Sequence, residues 1–126
     1  MDEKKKTTRN FREYTVYKSA LDYAAKVYKI TAEMPWFEKK GLCDQLQRAA
    51  VSISSNIAEG SAKPSDAELA KFLDTALGSS YEVETQLTIA HNVSYISDTI
   101  FTELMNDIQS IEKQLTAFIR SLRKSS

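Results

Sequence analysis

Glycine and proline are scarce, with three and two in 126 residues. A turn-rich all-β fold uses many of both, so that class is excluded. The single cysteine, Cys43, leaves no internal disulfide, which suits a reducing, cytoplasmic setting. With no second cysteine and no histidine near it in sequence, Cys43 does not read as a zinc ligand or a catalytic thiol. His91 is the one histidine, and without a Glu-x-x-His pair a ferritin-like di-iron site is excluded. The glycines are isolated, so no phosphate-cradling loop is present. No apolar run approaches the roughly 18 residues a membrane span requires. The opening MDEKKKTTRN lacks the apolar stretch of a secretory signal. These absences point to a non-enzymatic chain without a cofactor, metal, membrane or small-molecule substrate.

Net charge is zero, yet it is unevenly placed. Residues 1–12 carry five basic and two acidic side chains, and residues 113–126 carry four basic and no acidic ones. The body between them holds eight basic against fifteen acidic residues. The basic ends read either as solubilising tails or as contacts to a polyanion.

The breakers divide the rest into four helical patterns at about 14–34, 39–60, 65–91 and 97–124, a single domain over 13–124 behind a basic tail at 1–12. In the first, Tyr17, Ala20, Ala24, Val27, Thr31 and Met34 make one apolar face, widened by Leu21 and Tyr28. The third opens with Ser65 as N-cap and Glu68 three residues on, a capping box. Its apolar residues are Leu69, Phe72, Leu73, Ala76, Leu77, Val83 and Leu87. The fourth starts at Ser97, another N-cap, and reads Phe101, Leu104, Ile108, Ile111, Leu115, Phe118, Leu122, the 3–4 alternation of a bundle seam. Short connections between such helices predict an all-α, antiparallel up-down-up-down four-helix bundle.

The second pattern is the unusual one. From Ala49 to Ala58 it runs AAVSISSNIA without a charge. On a wheel of about 100° per residue, Leu42, Leu46, Ala49, Ala50, Ile53 and Ile57 form the core face. Gln45, Ser52 and Asn56 line its edge, and Val51, Ser55, Ala58 and Asp44 make the back. A solvated back should carry more charge. The pattern predicts a helix covered on two sides, by its own bundle and by a second copy. The expected interface is Val51, Ser52, Ser55, Asn56 and Ala58, with Gly78 and Ser79 opposite. Gly78, costing about 1 kcal/mol mid-helix, is expected level with Arg48 in a crowded place. Arg48 is expected to pair with Glu59 or Glu82. Glu82 and Glu84 point about 200° apart on a helix and cannot share an ion.

GLCDQLQRAAVSISSNIAEGSAK followed by FLDTALGSSYEVETQLTIA resembles the 23S rRNA-intervening-sequence protein family, bacterial four-helix bundle proteins, from about Tyr17 to Tyr95. The matching elements include Pro35, Gly41-Leu42, Gln45, Arg48-Ala49, Ser52, Asn56 to Gly60, Phe72-Leu73, Gly78-Ser79, Glu82 with Glu84, and Gln86-Leu87. Gln47 stands where a second Arg is common, Lys63 where Arg is usual, and HNVSY replaces a Leu-Gly-Tyr turn. The resemblance extends to the accessory variability protein of diversity-generating retroelements, a pentameric nucleic-acid-binding barrel that also binds a reverse transcriptase. It implies a ring-like homo-oligomer, a pentamer.

The function expected from this reading is an oligomeric scaffold or adaptor that weakly binds RNA, DNA or a nucleic-acid enzyme. The candidate contacts are Arg9, Arg12, Lys39, Lys40, Arg48, Lys63, Arg120, Arg123 and Lys124. Trp36 and Phe37 are read as capping the end of the core, with base stacking as the alternative. His91 reads as a helix C-terminal residue favoured by the macrodipole. Two further readings stay open: a metal-dependent nuclease or nucleotide hydrolase whose site forms between subunits from Arg48, Glu59, Glu82 and His91, and a purely structural assembly protein.

Overall fold

Pro35 disfavours helical geometry for the residue before it and has no N–H to give, and the first helix accordingly stops short of it. In the computed structural model, which describes residues 9–125, the elements are four helices with no strand among the described residues. Helix α1 spans Thr15–Thr31, α2 Leu42–Ser61, α3 Asp66–Asn92 and α4 Asp98–Ser125. Residues 1–8 of the expected basic tail lie outside the described residues. α1 ends three residues before the expected 34, and α2 begins three after the expected 39. The intervening Trp36–Glu38 forms a 3-10 turn closed by Glu38 N–H on Pro35 O at 2.9 Å. Glu38 then reaches forward and accepts from Leu42 N–H at 3.2 Å, capping α2.

The other caps follow the sequence. Ser65 Oγ accepts from Glu68 N–H at 3.1 Å, and the two side chains also bond each other at 3.1 Å. Ser97 Oγ accepts from Ile100 N–H at 3.2 Å. α3 is closed by Ser94 at φ 67°, a left-handed position, with Tyr95 N–H on Ala90 O at 2.8 Å. This is the position at which the resemblance would place a glycine, which adopts such a φ freely.

α2 packs on α1 and α3, α3 on α4, and α4 returns against α1. The core is held by fully buried Val27, Leu46, Ile53, Ile57, Leu73, Leu87, Ile108 and Leu115, each contributing roughly 1.5–3 kcal/mol by leaving water. In α1 the buried stripe is Val16, Ala20, Tyr23, Val27 and Thr31. Leu21 and Tyr28, expected to widen that face, are exposed instead. Tyr23 explains the rotation. Its ring is buried and its hydroxyl donates to Leu104 O at 3.0 Å, tying α1 to α4. Burial foremost, then the nearby Asp107, Glu112 and Glu84, keeps that phenol protonated. On the surface Lys26 bridges to Asp107 at 2.7 Å and Glu103 at 3.5 Å.

Candidate assembly and nucleic-acid interface

α3 separates two seams of different chemistry. Toward α2 the contact is small and polar. Ser52 Oγ and Ser79 Oγ are 2.8 Å apart, and Asn56 Nδ2 donates to Ser52 O at 2.8 Å and Ser52 Oγ at 2.9 Å. The Ser52/Asn56/Ser79 part of the expected interface is thus a hydrogen-bonded joint within one chain. Its members are buried or half-buried. Val51 and Ser55 remain exposed and Ala58 half-exposed. The back of α2 is therefore uncovered by this chain, as the helical wheel places it.

The Ser52–Ser79 pair also fixes the register. Gly78 lies level with Ile53 and not with Arg48, five residues from the expected register. A Cβ on Gly78 would meet nothing within 4 Å, so no crowding from this chain explains it. The glycine required by close packing is Gly60, where a Cβ would lie 2.6 Å from Phe72 Cβ and 3.0 Å from Leu69 Cδ1.

Arg48 pairs with Asp44 one turn earlier, at 2.9 Å, and not with Glu59 or Glu82. The i,i+4 spacing makes this partner local and cheap to reach. Arg48 and Glu82 do share a cleft with Gln45, Ser52 and Gln86, but no ion pair closes across it among the described residues. Glu59 is eleven residues beyond Arg48 on α2, roughly 16 Å along the axis. His91 stands at the far end of α3, 2.6 Å from Asp98 and stacked on Phe101 with ring centroids 4.2 Å apart. One chain does not gather Arg48, Glu59, Glu82 and His91. Cys43 is buried, beside Thr31 O at 3.6 Å and Met34 Sδ at 3.9 Å, and burial, then Glu38, pushes its thiol up.

The basic residues divide in the same way. Arg9 has a structural role: only 15% exposed, it sits 2.8 Å from Asp66 and donates to Ser61 O and Lys63 O. These contacts make it a clamp on the α2–α3 turn. Lys63 lies over the Phe72 ring at 5.3 Å, and Arg12 over Phe11 at 4.6 Å. Lys39 and Lys40 are exposed beside Trp36 and Phe37, which are 86% and 63% exposed. The two aromatics therefore do not cap the core. Met34 and Tyr95 close that end instead, Tyr95 donating its hydroxyl to Glu38 at 2.9 Å.

Toward α4, α3 carries a pair of carboxylates that periodicity alone does not reveal. Glu84 finds its carboxylate neighbour in Glu112 across the helix pair, not in Glu82. Burial, then Glu84, pushes the Glu112 carboxyl up to about 8, and its Oε2 is buried without a hydrogen-bond partner. Arg123 pairs with Asp74, and with Arg120 and Lys124 it lines a cleft along this seam.

The family model for the 23S rRNA-intervening sequence protein matches residues 12–117. The chain belongs to that family. A solved member of the S23 ribosomal protein family from Bacteroides thetaiotaomicron, of unknown function, is 27% identical, with a TM-score of 0.74 over 83% of this chain and 98% of its own. No curated protein matches the chain. Within the intervening-sequence protein family span lie all four helices up to Ala117, so the match takes in both seams of α3. The Asn56–Gly60 element lies near the end of α2, with Gly60 against α3. There Asn56 ties to Ser52 and Gly60 admits Phe72.

Proposed function

We propose that this intervening-sequence protein is a non-enzymatic scaffold or adaptor: an up-down-up-down bundle that assembles with copies of itself into a ring and engages nucleic acid or a nucleic-acid enzyme. A pentamer is the ring size that the family resemblance implies. The observation that carries the assembly is the uncovered back of α2. Val51 is 39% exposed and Ser55 is exposed on a stretch with no charge from Ala49 to Ala58. The neighbouring polar groups of Ser52, Asn56 and Ser79 are already satisfied within the chain. A second copy can therefore pack there without stranding buried donors. Gly78, exposed and open, lets that copy approach α3 closely.

Light scattering on the purified protein at micromolar concentration tests this against the 14.2 kDa monomer mass. A clean monomer refutes the assembly. Val51→Lys and Ala58→Glu each place a charge in the contact and are expected to dissociate the ring while leaving the helical circular dichroism intact. If either stays fully assembled, the back of α2 is not the interface.

A further inference from the structure

After Glu112, α4 carries no acidic residue, and its cations are Lys113, Arg120, Arg123 and Lys124. They lie along the α3–α4 seam in two adjoining clefts: Tyr81, Lys113 and Arg120 line the first, Arg120, Arg123 and Lys124 the second, and Thr116 and Arg120 belong to both. On the α3 wall the acid is Asp74, already engaged by Arg123. Glu112 also lines the first cleft, its carboxyl pushed up to about 8 by burial and by Glu84, which stands beside it on α3. Lys113, Arg120 and Lys124 make no ion pair among the described residues.

Their spacing bears on the form of the ligand. At seven and then four residues, they fall within about 40° of one another and span roughly 16 Å of helix. A compact anion is gripped by converging cations, whereas a row of this length matches successive phosphates of a strand. Tyr81 is 53% exposed in the same cleft as Lys113 and Arg120. An exposed aromatic beside a cationic row is the pairing that holds unpaired bases. We propose that the α3–α4 seam is a groove for single-stranded nucleic acid, with phosphates on the Lys113–Arg120–Lys124 row and a base stacked on Tyr81. This rests on the nucleic-acid half of the proposed function; the assembly face is centred on the back of α2 and reaches α3 at Gly78, one turn from Tyr81.

The test is fluorescence anisotropy of the full chain with a short labelled single-stranded RNA, the same sequence as DNA, and a duplex. Replacing Lys113, Arg120 and Lys124 together by Gln is expected to reduce the slope of log affinity against log salt by about 2, at roughly 0.7 per phosphate contact. Tyr81→Ala is expected to weaken single strands about tenfold and leave the duplex unchanged. A Trp36→Ala, Lys39→Gln, Lys40→Gln variant at the loop tip should bind as wild type. Circular dichroism and light scattering on each variant confirm that fold and assembly are kept. If the triple Gln variant binds as wild type while the tip variant does not, the groove is overturned and the nucleic-acid reading survives at the tip. Equal binding of duplex with a silent Tyr81→Ala overturns the single-strand assignment. No binding of any strand, even at low salt, overturns both.

Discussion

Gly60→Ala and Gly78→Ala add the same methyl group to two helices and should change stability in opposite directions. At Gly60 the new carbon would lie 2.6 Å from Phe72 Cβ and 3.0 Å from Leu69 Cδ1, against an optimum of about 3.5–4.0 Å between carbons. Leu69 can swing its terminal methyl away. Phe72 Cβ is bonded directly to the backbone, so no rotamer change relieves that contact. α2 and α3 must separate by about 1 Å near their connection, at a cost of about 1–3 kcal/mol. The gain in helix propensity offsets at most about 1 kcal/mol, and less in the last turn of α2 where Gly60 lies. The net expectation is a loss of about 1–2 kcal/mol, or about 5 °C in Tm for a chain of this size. Gly78→Ala meets nothing within 4 Å, lies exposed in the middle of α3, and should gain about 1 kcal/mol. Thermal and urea unfolding followed by circular dichroism measures both, at one protein concentration because assembly raises apparent stability by mass action. Gly60→Ala as stable as wild type would refute the close-approach reading. A Gly78→Ala variant that loses stability with its assembly intact would refute the open-space reading.

Ser94→Gly should stabilise by about 1 kcal/mol, because Ser94 holds φ 67° where a side chain is strained and Gly is not; a variant no more stable in urea would contradict this. Glu112→Gln should leave stability unchanged near pH 4 and raise it at pH 9. The Glu112 carboxyl goes from 4.5 in the unfolded chain to about 8 in the fold. The fold thus binds that proton more tightly, and stability is lost as pH rises between those values. A Tm difference between variant and wild type that does not open between about pH 5 and 8 would contradict the assignment.

How much was legible depended on whether neighbours in sequence were neighbours in space. The four helices follow from periodicity and from Pro35, Gly60 and the caps at Ser65 and Ser97, which act within a few residues. The α4 seam was read correctly because Leu104, Ile108, Ile111 and Leu115 repeat at 3–4 spacing and all are buried. Charge pairing was not legible. Arg48 chose Asp44 four residues away over Glu82, and a wheel cannot rank a local partner against one across a seam. The α2 edge was legible as small and polar, but the closure of Ser52, Asn56 and Ser79 on one another depends on a register five residues away from the expected one. Tyr23 was missed because a Tyr with a polar tip reads as surface until Leu104 O is seen to accept from it. Glu84 and Glu112 lie on different helices, so nothing in either segment alone announces their pair.

The same principle separates the two basic ends of the chain. Both look alike as sequence, yet Arg9 is committed to the fold and the α4 row is not. Arg9 satisfies Ser61 O and Lys63 O at the end of α2, where helix carbonyls lack partners, and its other nitrogen meets Asp66 in the first turn of α3. Arg9→Gln removes the charge and the fork, leaving those carbonyls to water. With the side chain 15% exposed, charge-assisted bonds of this kind are worth about 1–2 kcal/mol in total once solvent access is allowed for. The expected result is a Tm lower by about 4–8 °C with nucleic-acid affinity of the folded protein unchanged. Deleting residues 1–12 would mix the two effects, since it removes the clamp together with Lys4, Lys5 and Lys6. If Arg9→Gln keeps full stability but loses binding, Arg9 is a phosphate contact and the clamp assignment is wrong.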